Sequence, residues 1–239
     1  DSSTSRGLGD VYKRQIGWKK MKNLLIILLF VVILACIPLV MRKLSWNKIV
    51  KALEKEDFNK YYKSIDSFMC KVSYSAFDRE NMRLSGYMSE GRKDDVENQF
   101  AMMKNMRVKA KYKIALGNRG FYYYLEQGRA KKARDMIDFV KANGGENVCR
   151  DLEMQYSILL KKESKYIDEV KQKLEALWDG KTPLGDDKKM IVGTFEYLIG
   201  LQYSYENDRE NMMKYFTPAL EHCKGTPYED NIHEIMKRV

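Results

Sequence analysis

The residues best equipped for chemistry lie near the C-terminus. His222 and His233 are the only histidines of the 239-residue chain; Glu221 and Cys223 flank the first and Glu234 follows the second. Imidazole, thiolate and carboxylate are the groups that hold zinc, but a zinc site needs a fixed ligand geometry. Gly225-Thr226-Pro227 breaks any helix running between the two histidines, so both read as exposed side chains of terminal helices. The chain has no phosphate-cradling glycine loop, no serine elbow and no paired His-Glu zinc motif. Gly144-Gly145 is an isolated pair after a helical stretch and reads as a helix end. The sequence therefore points to a binding protein without catalytic residues, metal or cofactor.

Binding chemistry is more plentiful. Between Lys104 and Arg134 stand ten basic residues, Lys104, Arg107, Lys109, Lys111, Lys113, Arg119, Arg129, Lys131, Lys132 and Arg134, against Glu126 alone. Long basic side chains commonly just solvate exposed helix faces. The functional alternative is a surface for an acidic protein segment or for anionic lipid headgroups, with nucleic acid disfavoured. Charge elsewhere argues against a general nucleic-acid binder: the whole chain carries +10, but residues 44–239 only +4, so the excess is local. Four consecutive rings, Phe121-Tyr122-Tyr123-Tyr124, look like a stacking platform, yet at helical spacing most of them must pack inward.

These groups have to be positioned by the rest of the chain, which divides into three parts. Asp10-Val11-Tyr12-Lys13-Arg14-Gln15 resembles the translation of a transposon end used in sequencing libraries. Residues 1–20 accordingly read as a leader foreign to the protein, with Met21 as its start. Residues 21–43 form a membrane anchor: Leu24 to Met41 is uncharged and almost wholly apolar, and its 18 residues reach about 27 Å as a helix, close to the hydrocarbon thickness. Apolar character continues to a basic stop at Arg42-Lys43, which favours an anchor over a cleaved signal; Cys36 as a lipidated residue is a poorer match. Lys22 stands alone before the span whereas Arg42, Lys43, Lys48 and Lys51 follow it, placing the remaining residues, 44–239, on the cytoplasmic side of the cell membrane in a single-pass arrangement. Cys70, Cys149 and Cys223 are widely spaced and odd in number, which agrees with a reducing compartment.

Residues 44–239 read as all-α, since their apolar residues recur at three and four rather than two. The clearest unit is Gly117 to Val140, where Tyr124 is followed by Gly128, Ala133 and Ile137; the spacing returns at Tyr87, Gly91, Val96, Phe100 and at Tyr203, Asn207, Met212, Phe216. Weaker units surround Glu56 and Lys165. This pattern resembles the tetratricopeptide repeat (TPR), in which a turn residue with left-handed backbone joins two antiparallel helices and a small residue lets them approach. The resemblance implies about five hairpins with turns near Glu56, Gly91, Gly128, Lys165 and Asn207, stacked as a right-handed superhelix beginning almost at the bilayer. Asp179 to Asp187 reads as an inserted loop, and the duplicated Asp78-Arg79-Glu80-Asn81-Met82 and Asp208-Arg209-Glu210-Asn211-Met212 as a coincidence at different hairpin positions. A generic helical bundle is the alternative arrangement. The resemblance further implies a membrane-anchored interaction scaffold whose concave groove, lined by Asn81, Ser85, Asn118, Tyr122, Gln155, Tyr197 and Tyr205, holds a segment of an unidentified protein partner.

Overall fold

The computed structural model describes residues 28–31 and 36–238, and among these every regular element is helical. The leader expected over residues 1–20, the start at Met21 and the first residues of the anchor lie outside the described residues. The chain divides into two compact units, residues 1–107 and 108–239.

The first unit opens with α1, Leu28–Glu54, which is long and apolar enough to cross a membrane and whose apolar window is only 7% buried. Its C-terminal part is instead built into the unit: Ile49 and Ala52 are buried with Tyr61, Ile65 and Cys70. The apolar stretch and the packed segment thus share one helix. The chain turns at Glu56 into α2 (Phe58–Ile65), crosses through the short α3 (Phe68–Ser73) and continues as the pair α4 (Ala76–Ser89) and α5 (Lys93–Lys104). Asp57, Ser67 and Ser75 cap α2, α3 and α4 by accepting the backbone N–H three residues on, satisfying donors that a helix start leaves free.

The second unit contains α6 (Ala110–Glu126), α7 (Ala130–Gly144), α8 (Glu146–Leu159), α9 (Ile167–Leu177), α10 (Asp186–Tyr205), α11 (Arg209–His222) and α12 (Pro227–Arg238). Pairs α6–α7 and α10–α11 are antiparallel and close. Gly117 lies against Val140 and Gly120 against Met136, while Gly193 lies against His222 and Cys223 and Gly200 against the Phe216 ring. Tyr197, Ile199, Phe216 and Ile232 lead the core of α10, α11 and α12. Pair α8–α9 is bridged by long side chains, Arg150 to Glu169 at 3.0 Å and Lys173 to Asp151 at 2.8 Å. Gln202, fully buried, joins the neighbouring elements: its Oε1 accepts the Tyr166 N–H that opens α9, and its amide donates to Leu198.

Positive φ among non-glycine residues occurs at Glu56, Lys162 and Asn207, and Gly91 and Gly128 share that conformation. Four of these are the turn positions read from spacing. They close identically: Asp57, Arg92, Arg129 and Asp208 donate to the carbonyl five residues back, at Ala52, Tyr87, Tyr124 and Tyr203, the double-bonded helix ending that a left-handed residue permits. The fourth turn departs from expectation, falling at Lys162 rather than Lys165. There Glu163 N–H bonds to Ser157 O, the Glu163 carboxylate takes the Ser157 hydroxyl, and Lys165 pairs with Glu163 at 2.8 Å. That side-chain closure consumes residues that the other turns leave in the following helix. Residues 178–185 are non-helical, as the Gly and Pro content of that stretch requires. The two Asp-Arg-Glu-Asn-Met copies occupy different positions: Asp78 lies in the first turn of α4, whereas Asp208 caps α11.

Candidate binding groove

An open cavity of about 620 Å³ lies in the second unit, where the ends of α6 and α8 meet α10 and α12. Leu125, Leu159, Leu201 and Ile235 supply apolar wall, and Glu126, Lys162 and Arg238 place charges around it. Its polar interior is held in position. Tyr205 donates to the carbonyl of Ile158 at 2.9 Å, and Tyr197 accepts from the Asn231 amide at 3.0 Å. The Tyr228 ring tilts against Tyr197 with centroids 4.8 Å apart. Burial raises the phenols of Tyr197, Tyr205 and Tyr228, that of Tyr205 to about 12, because phenolate loses more than phenol on leaving water. All three are neutral hydrogen-bonding groups at physiological pH.

Of the seven groove residues implied by the repeat resemblance, Tyr197 and Tyr205 line this cavity. Tyr197 is itself 2% exposed and presents little surface. Tyr122, 43% exposed, stands one helical turn before Glu126 on α6, while Phe121 and Tyr124 are buried. Gln155 on α8 donates to Tyr122 Oη at 3.2 Å. Asn118, one turn earlier still, has its Oδ1 buried without a hydrogen-bond partner among the described residues. Asn81 and Ser85 belong to the first unit, where they line a separate cavity of about 310 Å³ with Trp46, Tyr61 and Tyr74. The seven are therefore divided between two units.

The basic run is divided as well. Lys104 and Arg107 fall in the first unit and the other eight in the second. Arg134 is engaged by Asp138 at 3.1 Å and Glu153 at 3.7 Å, and the Arg129 guanidinium lies over the Tyr124 ring. Lys109, Lys111 and Lys131 are exposed.

No protein-family model, curated protein or solved structure matches the chain.

The structure also assembles a group that linear spacing concealed. His222 is packed rather than exposed: its Nδ1 lies 2.7 Å from Glu196 Oε2, with the two side chains 12% and 4% exposed. Trp178 meets the imidazole edge-on at 5.8 Å, and its indole N–H donates to Thr182. Burial raises the Glu196 carboxyl despite the lowering influence of His222, and pushes the Cys223 thiol up to about 11. Glu196 lies 26 residues before His222, and only the α10–α11 pairing reveals the contact. The contact joins the end of α11 to α10, and Trp178 at the start of the 178–185 loop packs on the same imidazole. His233 is exposed on α12, and among the described residues no cluster is placed to hold a metal.

Proposed function

We infer that this chain is a membrane-anchored, TPR-like scaffold, without enzymatic activity, that holds a segment of a protein partner in the groove of its second unit. The observation that carries this reading is the cavity at the ends of α6, α8, α10 and α12: apolar walls around preorganised tyrosines, with Tyr122 exposed one helical turn before the lining residue Glu126 on α6. Apolar surface with a few fixed polar points is the composition of a ligand site. Lys162 and Arg238 at the rim favour acidic residues flanking that segment. In TPR-like stacking within each unit, the first helices of successive hairpins face the groove. The anchor would tether the groove on the cytoplasmic side of the cell membrane.

Site-specific photocrosslinking in the full-length chain tests the reading. A crosslinker at Leu125 or Ile235 should capture one defined protein that a crosslinker at Met190, exposed on α10, does not. Tyr122→Ala should abolish that capture while leaving the helical signal and melting temperature unchanged. Equal capture from both sites, or capture indifferent to Tyr122, would count against the groove.

A further inference from the structure

The first unit carries an apolar surface that its own core does not use. Phe68 and Val72, one turn apart on α3, are 78% and 58% exposed; Phe68 is more exposed than Leu39 in the apolar part of α1, at 68%. Lone exposed apolar residues are ordinary, but a short helix that turns a phenylalanine and a valine outward together is a surface awaiting apolar surroundings.

Contacts along α1 set the height of α3. Asp57 N–H bonds to Ala52 at the top of the first hairpin. From there α2 descends along α1, packing Tyr61 and Ile65 with Ile49. The Cys70 thiol meets Ser45, and Tyr74 Oη donates to the Arg42 carbonyl at 3.2 Å while the Arg42 guanidinium covers its ring. Ser75 then caps α4, which leads away again. α3 is thus the connection at the bottom of the unit, level with Arg42 to Ser45, where the apolar stretch ending at Met41 gives way to polar residues. At about 1.5 Å per residue those positions stand within roughly 6 Å of Met41, the depth of the headgroup layer for a helix crossing the bilayer.

Charge at this level is mostly basic: its two carboxylates, Asp66 and Asp78, are held by Arg83 at 2.7 Å and by the Ser75 hydroxyl at 2.7 Å. Lys48, Lys60 and Lys63 line a cavity of about 190 Å³ with Ser45, Ser64 and Ser67, directly beside α3, and Lys71 is exposed on α3 itself. Exposed apolar side chains ringed by lysines are the composition of an interfacial contact with anionic lipid.

We propose that α3 is a membrane-seating foot: Phe68 and Val72 enter the interface of the bilayer that α1 crosses, and Lys48, Lys60, Lys63 and Lys71 hold anionic headgroups around them. The foot rests on the reading of α1 as a span. It gives the unit a second attachment point and restrains its tilt, which a single helix would leave free.

The test uses the full-length chain with Cys36→Ser, the other three cysteines being buried, in nanodiscs containing phosphatidylglycerol. Nitroxide labels are placed singly at Phe68→Cys, Val40→Cys in the span and Met102→Cys, exposed on α5. Collisions with oxygen and with a water-soluble nickel chelate are then compared. The foot predicts that position 68 behaves like position 40, favouring oxygen, while position 102 favours nickel. Each of Lys60→Gln and Lys63→Gln should lower the seated-to-lifted ratio about fivefold, as should a purely zwitterionic disc. If position 40 is in lipid and position 68 is as nickel-accessible as position 102, the foot is overturned and the span stands. If position 40 is itself nickel-accessible, the span reading fails and the foot with it. A lipid-buried position 68 indifferent to both lysine changes and to lipid charge would overturn the headgroup contacts.

Discussion

At the scale of single residues, the second unit is organised by polar groups placed where helices leave backbone unsatisfied. Ile158 O belongs to the last turn of α8, whose final carbonyls have no partner within the helix, and Tyr205 supplies one from α10. Tyr205→Phe should therefore destabilise the unit by about 1–3 kcal/mol, the cost of leaving a buried carbonyl unmet, and denaturant midpoints of the two proteins will show it. Glu196 makes a different demand. Because burial raises its carboxyl above the ordinary 4.5, the folded state binds this proton more tightly than the unfolded chain. Its contribution is fully present below the ordinary carboxylate value and is lost as pH rises through the raised one. Unfolding midpoints followed from pH 4 upward should fall in the native protein, and Glu196→Gln should remove that component of the slope. An unchanged slope would mean that Glu196 shares the unfolded chain's proton affinity.

Elements impose their own requirements. Four helix pairs turn on the same left-handed ending, and in two of them the arginine after the turn covers the tyrosine that closes it, Arg92 over Tyr87 at 4.8 Å and Arg129 over Tyr124 at 5.6 Å. The cation–π contact stands where such endings usually carry an apolar contact. Within α10–α11 the close approach depends on Gly200: a methyl there meets the Phe216 ring, itself fully buried. Gly200→Ala should cost roughly 1–3 kcal/mol through overpacking, although alanine is the better helix former by about 1 kcal/mol. Lys162→Gly should be neutral or stabilising by up to about 1 kcal/mol, since glycine adopts the observed φ of 57° without a Cβ penalty. Thermal unfolding of the two variants should move in opposite directions or leave the second unmoved; matching losses would contradict the turn geometry.

For the whole molecule, the division into two units predicts how the chain comes apart. Residues 105–109 are non-helical, with Arg107 and Lys109 exposed between α5 and α6. Brief trypsin treatment should cut there first and release a fragment beginning at Val108 or Ala110 that keeps its helical spectrum and melts cooperatively. Early cleavage inside α6 to α11 would argue against an independent second unit. Membrane topology is equally accessible: labelling of a cysteine at Val148, exposed on α8, should require permeabilised cells if residues 44–239 face the cytoplasm, and labelling in intact cells would reverse that orientation.

Helical class, the apolar stretch and four of the turn positions were legible in the linear chain, because each rests on local physics. Periodicity of three and four, unbroken apolar length, and glycine or asparagine at the turns of Gly91, Gly128 and Asn207 are decided within a few residues, while the turn at Glu56 follows from repeat register. The turn at Lys162 stands three residues from the position that spacing indicates because a lysine takes the left-handed conformation there, and the backbone bond from Glu163 to Ser157, joined by the Ser157 hydroxyl donating to the Glu163 carboxylate, closes it. The candidate site was only partly legible. Spacing along α6 distinguished Tyr122 from Phe121 and Tyr124, but the contributions of α12 and the assignment of Asn81 and Ser85 to another unit depend on which helices pack together. His222 shows the limit most clearly: a residue read as exposed became half of a buried pair when α11 folded back on α10. Local energetics choose the helix and its ends; long-range packing alone decides which faces meet, and so where a groove, a buried carboxylate or an outward-facing foot is formed.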